Sequence, residues 1–538
     1  MGLPENKAAW PPASETGRYG RMAVNSTWYG GDPTALANLY ANGTDGEKYR
    51  SGMRYYIERI ASWFWATNDP SAPDDKVHLP VAQDIATMSS EVLFGEEVAF
   101  EVQPDPTWVP NGDGVFSDEQ QRIIEQTQKR LDTLLDGMDF QSTLLAAAET
   151  AVPLGSVGLR MAWDKRLGMT QPVISRVDAD HVVAEYEFGM LKAVTFWEIV
   201  SRENGGETVI YHLERHEPGR VLHGLYRGVV GNIGMAIPLT EHESTKPYAE
   251  LVDEEGAIAT GIDGLLAESI PNMLPDPLDR GNEAGRSDFT PGVLSLFDAI
   301  DRTVTSLMRD IADGRSRLLI ADYMMQGRGV GKGVEFAEDQ HLFVRLKREP
   351  GENGGDAPID QVQFKIRVDE HLRTLDFLQR KVIETCGYNV DAEVGEQGDA
   401  MTATEYSGRA KKTARTRDKK LRYWRRIERL LETLLKVDAA IFTSGVTPLP
   451  VKMIVPDMMQ PTTLELANTA KVLREAKAAS TRVIVEMMNL VGEDRIDEEV
   501  AAIEGAEADP TTVGLPGVPD QPGAPLPDEP NDDDPAEV

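Results

Sequence analysis

The stretch "PGVLSLFDAIDRTVTSLMRDIADG", residues 291–314, limits the fold more than any other part of the chain. Thr290 stands where an N-cap oxygen is wanted, Pro291 takes the first helical position, where a missing N–H does no harm, and Gly314 supplies a stop. Along this predicted helix Val293, Phe297, Ile300, Val304, Leu307 and Ile311 step by 4, 3, 4, 3 and 4, which lays a narrow apolar seam against another helix. At ~1.5 Å per residue it spans roughly 34 Å. "DEHLRTLDFLQRKVIETCGY", residues 369–388, offers a partner, with Asp369 as cap, Leu372, Leu375, Leu378 and Val382 as stripe, and Gly387 as terminator. Between the two lie "RLLIADYMM", a Gly-rich turn, "HLFVRL" and "VQFKIRV", in which Val362, Phe364, Ile366 and Val368 alternate. A small β-rich module flanked by two long helices is predicted.

At 538 residues the chain exceeds one ordinary core, so two to four packing units are expected in an α+β chain. The first seventy residues, rich in Gly, Pro and Asn, read as an arm or outer layer pinned by Trp28, Tyr29 and Tyr40. A helix with Ile85, Met88 and Val92 on one side passes at Gly95 into a strand ending at Val102, and Ser117 with Gln120 forms a capping box that opens a further helix. From about residue 155 to 230, short β-rich runs separated by turns predict an antiparallel meander. Residues 461–505 read as a small helical unit, and Asp509–Val538, with eight prolines, eight acids and no base, as a disordered acidic tail.

Charge is distributed unevenly. The formal net charge of −34 disfavours bulk attraction to nucleic acid without excluding a local basic contact. Glu384 to Glu405 holds six acids and no base, whereas Arg409 to Leu430 holds eleven Lys and Arg against two acids. In this basic helix Leu421, Trp424, Ile427, Leu431 and Leu434 form an apolar stripe in the C-terminal half, while the upstream half reads as basic nearly all round. A solvated face, pairing of Lys411, Lys412, Arg415 and Arg417 with acidic surface on a neighbouring copy, and DNA contact are the three readings.

Motifs that suggest chemistry fail on inspection. "GRGVGKG", residues 327–333, has too short a spacing for a phosphate loop and Gly333 where Ser or Thr would bind magnesium. "HLERH" spaces His212 and His216 for a metal only on a helix, but its β-branched and aromatic context predicts a strand, with solvated or cross-strand imidazoles and His223 isolated from them. The lone Cys386 forms no intrachain disulfide, builds no Cys-type zinc site and reads as a packed small side chain. No catalytic, cofactor-binding or metal-binding residue is assigned. No run of ~18 apolar residues and no leader pattern is present, so assembly in a reducing cytoplasm without membrane insertion is expected.

The order of segments is similar to that of the portal protein family of tailed double-stranded DNA bacteriophages, in its siphovirus branch. It is carried by "LPVAQDIATMSSEVLFGEEVAF", "VGLRMAWDK", "HLERHEPGRVLHGLYRG", "TPGVLSLFDAIDRTVTSLMRDIADGRSRLLI" and "CGYNVDAEVGEQGDAMTATEYSGRAKKTARTRDKKLRYWRRIERLLETLL", across roughly residues 28–500. The resemblance implies a wing (1–290), stem helices (291–313 and 369–386) around a clip (314–368), a tunnel loop (387–404), a long basic wing helix (405–440), a crown (441–505) and a disordered tail (506–538). It implies a non-enzymatic homo-oligomeric ring, commonly of twelve copies, at one capsid vertex of the virion. Such a ring nucleates head assembly with major capsid protein and scaffold, docks the large terminase and then a head-to-tail adaptor, and passes double-stranded DNA. Asp391, Glu393, Glu396 and Asp399 would line the channel, where like charge and the lack of phosphate contacts let DNA slide. Pairing or solvation of the basic helix then ranks above DNA contact. A nucleotide-using enzyme and another minor capsid protein are the alternatives.

Overall fold

The computed structural model describes residues 2–41, 76–111, 116–164, 168–313, 317–321, 343–346, 360–362, 367–389 and 403–456, with short stretches between 469 and 503. The chain divides into two units, Met1–Met458 and Met459–Val538. In the second, helix is described over 469–474 and Thr481–Met488. The first unit mixes α and β.

Its helices are α1 (Thr16–Gly30), α2 (Pro33–Ala41), α3 (Val81–Phe94), α4 (Asp118–Gly137), α5 (Phe140–Leu154), α6 (Pro291–Asp313), α7 (Val368–Cys386), α8 (Ala403–Trp424) and α9 (Ile427–Ile441). The capping box of α4 is formed as expected: Gln120 N donates to Ser117 Oγ at 3.3 Å and Ser117 N to Gln120 Oε1 at 3.0 Å. The predicted cap of α7 shifts by two residues. Val368 opens the helix instead of ending a strand, Arg367 takes the cap position without a side-chain bond, and Asp369 sits in the first turn, where its charge favours the helix dipole.

The strands are β1 (Ala9–Trp10), β2 (Ala99–Val102), β3 (Ser156–Ala162), β4 (Val173–Asp178), β5 (Val182–Glu187), β6 (Met190–Glu203), β7 (Thr208–Glu217), β8 (Arg220–Val229), β9 (Gly231–Ile237), β10 (Ala257–Ala259), β11 (Ala267–Pro271), β12 (Arg317–Ala321), β13 (Phe343–Leu346), β14 (Asp360–Val362) and β15 (Val451–Ile454). The predicted meander is present but divided. Strands β5 to β9 run antiparallel in one sheet, which β1 extends at β9 and β10 joins at β8, whereas β3 belongs to a second sheet, β11-β3-β4. Gly158 lets the sheets close on one another: a Cβ there would lie 2.8 Å from Phe196 and from Val182 of the main sheet. In the region between α6 and α7, β12 pairs parallel with β13 and antiparallel with β14, in agreement with a β-rich module.

Of the N-terminal arm residues 2–41 are described, and Trp28 pins it as expected, packed in a core with Ile85, Phe297 and Tyr388. Tyr40 lies among residues whose side chains are outside the description. The long basic helix is broken: α8 ends at Trp424, Arg426 N bonds back only three residues to Tyr423 O, and α9 starts at Ile427. Across the break Trp424 and Ile427 still enter one core together with Phe94, Leu131 and Leu144. Residues 449–454, expected in the crown (441–505), belong to the first unit: β15 pairs with β2 and buries Val451 and Met453 in that same core.

Candidate functional site: the root of the paired helices

The seam on α6 behaves as its spacing predicts over most of its length. Val293, Phe297, Ile300 and Val304 are buried, Leu307 is half-buried, and Ile311 is exposed. Helix α7 packs antiparallel alongside. Asp310 near the end of α6 meets Arg367 and His371 at the start of α7, both at 3.1 Å, while Cys386 at the end of α7 lies against Asp288, just before α6. Of the stripe on α7, Val382 is fully buried, Leu375 and Leu378 are half-buried, and Leu372 is 52% exposed. Phe377 is 64% exposed and Met308 50%, so apolar surface remains toward the distal ends of the pair.

At the proximal end both helices converge on a buried cation. The Lys420 ammonium on α8 has no solvent exposure and donates to Asp288 Oδ2 at 2.6 Å and Ser89 Oγ at 2.9 Å. Tyr388 donates its hydroxyl proton to the same Ser89 at 2.7 Å, and Asn272 Nδ2 donates to Asp288 Oδ1 at 2.9 Å. Burial opposes the Lys420 charge, but the adjoining Asp288 carboxylate outweighs it and holds the ammonium above its ordinary value. Burial, with the Asp288 charge, pushes the Cys386 thiol up, so it stays protonated and packed as expected. Asp288 stands three residues before Pro291 opens α6, and Tyr388 two residues beyond the end of α7 at Cys386. Lys420 therefore ties the roots of both helices to α3 and α8.

The same region closes the base of the acidic loop. Lys412 Nζ donates to Glu384 O at 2.8 Å, Thr416 Oγ1 donates to Gly387 O at 2.8 Å, and Asn389 N donates to Thr413 Oγ1 at 3.1 Å. Gly387 ends α7 with φ +98°, and a Cβ on it would meet Thr416 Oγ1 at 2.6 Å. Both the left-handed conformation and the close approach call for glycine.

Of the residues named from sequence, Asp391, Glu393, Glu396 and Asp399 lie outside the described residues, as does "GRGVGKG". Lys411, Lys412 and Arg415 are exposed on α8. Arg417 is not available to a neighbouring copy: it is buried, donating to Val92 O at 2.7 Å and to Pro456 O at 2.9 Å. Nor is the upstream half of α8 solvated all round. Thr413, Arg417 and Lys420 continue the stripe of Trp424, Ile427 and Leu431 backwards at steps of 4, 3, 4, 3 and 4, in polar residues, all buried. That unbroken spacing was the signal for Lys420, missed because only apolar residues were counted.

"HLERH" lies on strand β7 as expected, but its imidazoles are buried, and His223 on β8 is hydrogen-bonded to His212 instead of standing apart. Among the described residues no group of His, Cys, Asp and Glu is arranged to hold a metal ion, and no helix is long and apolar enough to cross a membrane. No protein-family model matches the chain, and no curated protein matches it.

Proposed function

We propose that this chain is a portal protein of a tailed double-stranded DNA bacteriophage. It forms a homo-oligomeric ring, of twelve copies in the family pattern, at one vertex of the virion capsid. The observation that carries the reading is the antiparallel pair α6 and α7, rooted in a buried polar hub and leaving Met308, Ile311, Leu372 and Phe377 exposed. Exposed apolar side chains along a packed helix pair are explained by a partner, and a ring of identical copies supplies one on each side. The β-rich segment joining the two helices fits a clip that docks terminase and later the adaptor, while the wing contacts capsid protein and scaffold during assembly in the host cytoplasm.

In this ring Lys411, Lys412 and Arg415 face acidic surface on the neighbouring subunit, and the acidic loop, whose first residues are held by Thr413 and Thr416, surrounds DNA without gripping it. The protein has no enzymatic step of its own; the terminase motor does the work. Electron microscopy and mass measurement of the purified protein test this. Rings with a central hole are expected, and Lys411→Glu with Arg415→Glu should impair their formation. A monomer under all conditions, or nucleotide hydrolysis abolished by Lys332→Ala, would overturn the reading.

A further inference from the structure

The main sheet carries a buried polar cluster far from the helix roots in sequence and independent of the portal reading. His212, Glu214 and His216 share one face of β7, and His223 stands opposite Glu214 on β8. His212 Nδ1 lies 3.3 Å from Glu198 Oε1 of β6, and its Nε2 lies 3.3 Å from His223 Nδ1. The His223 ring is stacked on Tyr248, with centroids 4.1 Å apart and planes 13° apart, and on His212 at 5.5 Å and 8°. Tyr248 comes from the segment 239–256, two short helical turns that lie over the sheet, and the His223 backbone N donates to Gly256 O at its end.

The hydrogen bonds run in one direction. Glu198 is a carboxylate, so His212 donates from Nδ1, neutral His212 then accepts at Nε2, and His223 donates from Nδ1. A proton on both rings would set two N–H groups against each other across 3.3 Å. The other charged and titratable groups around His223 are Glu214, which accepts from Arg160 Nη1 of β3 at 2.8 Å and lies 2.7 Å from His216 Nε2, and Tyr248 itself. Glu214 is thus shared with Arg160 and His216, which weakens what it can offer a charged His223. The segment above is anchored at its end by the Gly256 bond and by β10 and in its middle by buried Thr245, while the exposed ion pairs Arg227–Glu241 and Arg220–Glu255 contribute little.

We propose that the Tyr248–His223–His212 stack is an acid-sensitive latch, which holds residues 239–256 on the sheet while His223 is neutral and lets them lift when it takes a proton. A buried imidazolium needs water, and Tyr248, half-buried, is the cover that can move to admit it. The titration agrees with this geometry. Burial, partly offset by the Glu214 carboxylate, pushes His223 down to about 4, so the closed form resists protonation and is lost as pH falls from 6.5 toward that value.

Amide hydrogen exchange of the full chain between pH 7.5 and 5, corrected for intrinsic rates, tests the latch. Opening of 239–256 should rise about thirtyfold, the ratio for a group with pKa 6.5 when open and about 4 when closed, with β3 and β11 unchanged. His223→Phe keeps a ring for Tyr248 and removes the proton, so its segment should stay protected at pH 5. Unchanged protection in the wild type, or equal loss in the variant, overturns the proposal. If the variant does not fold, a His223 titration followed by NMR in the wild-type protein decides, since a midpoint at or above 6.5 refutes the latch.

Discussion

Replacing Lys420 with Met removes an ammonium from the root of the helix pair while keeping an unbranched chain of similar length. What is left behind matters more than what is lost. Asp288, buried to 2% exposure, would retain Asn272 as a donor but face no cation, and Ser89 would lose one of its two partners. Removing one member of a buried ion pair costs about 3–5 kcal/mol, against roughly 1 kcal/mol for a neutral hydrogen bond alone. At ~1.4 kcal/mol per tenfold, Lys420→Met should shift the unfolding equilibrium by a factor on the order of 10² to 10³, read as a lower urea midpoint with an unchanged slope. Asp288→Asn in the same chain abolishes the orphaned charge, so the double variant should recover at least half of the loss. A cost below about 1 kcal/mol for Lys420→Met, or a double variant less stable than the single one, would refute the account of the hub as a charge pair.

Two further outcomes follow from neighbouring features. Arg417→Ala should destabilise by about 1–2 kcal/mol through two half-buried carbonyls left without their donor, whereas Arg415→Ala, two positions away and exposed, should stay within about 0.5 kcal/mol in the same denaturation assay. Glu268 in β11 is buried, which raises it to about 7 despite Arg429 and Arg426, so its native form prefers the proton. Its contribution is present below 4.5 and lost as pH rises through 7; Glu268→Gln should therefore be more stable than wild type at pH 8 and equal to it at pH 4, measured by thermal unfolding at both.

What could be read from the residues was whatever depends on near neighbours. The capping box at Ser117, the stop at Gly387, the seam from Val293 to Val304 and the strand character of "HLERH" all rest on local spacing and turn chemistry. Misreadings arose where a distant partner decides. The spacing puts Lys420 and Arg417 on the buried stripe, but the groups that accept from them, Asp288 and the Val92 and Pro456 carbonyls, are brought there only by the fold. The division of the meander into two sheets is invisible to alternation, because a strand's period is the same whichever neighbour it pairs with. His223 looked isolated at eleven residues from His212, the distance a tight hairpin folds to nothing. The channel-lining acids remain a matter of composition alone.

The pairing of β2 with β15 has a consequence for how the chain is made. Val102 finds its partner Val451 only after the ribosome has produced everything between them, and at ~5–20 residues per second that is a wait of roughly twenty to seventy seconds. Until then Phe100 and Val102, with Leu131 and Leu144 behind them, lack the strand and the helix α9 that complete their core. The first half of the protein is thus born with an open edge and an unfilled interior. A nascent chain arrested before Ile454, or an expressed N-terminal fragment, carries that unfinished surface permanently and is a natural client for chaperones.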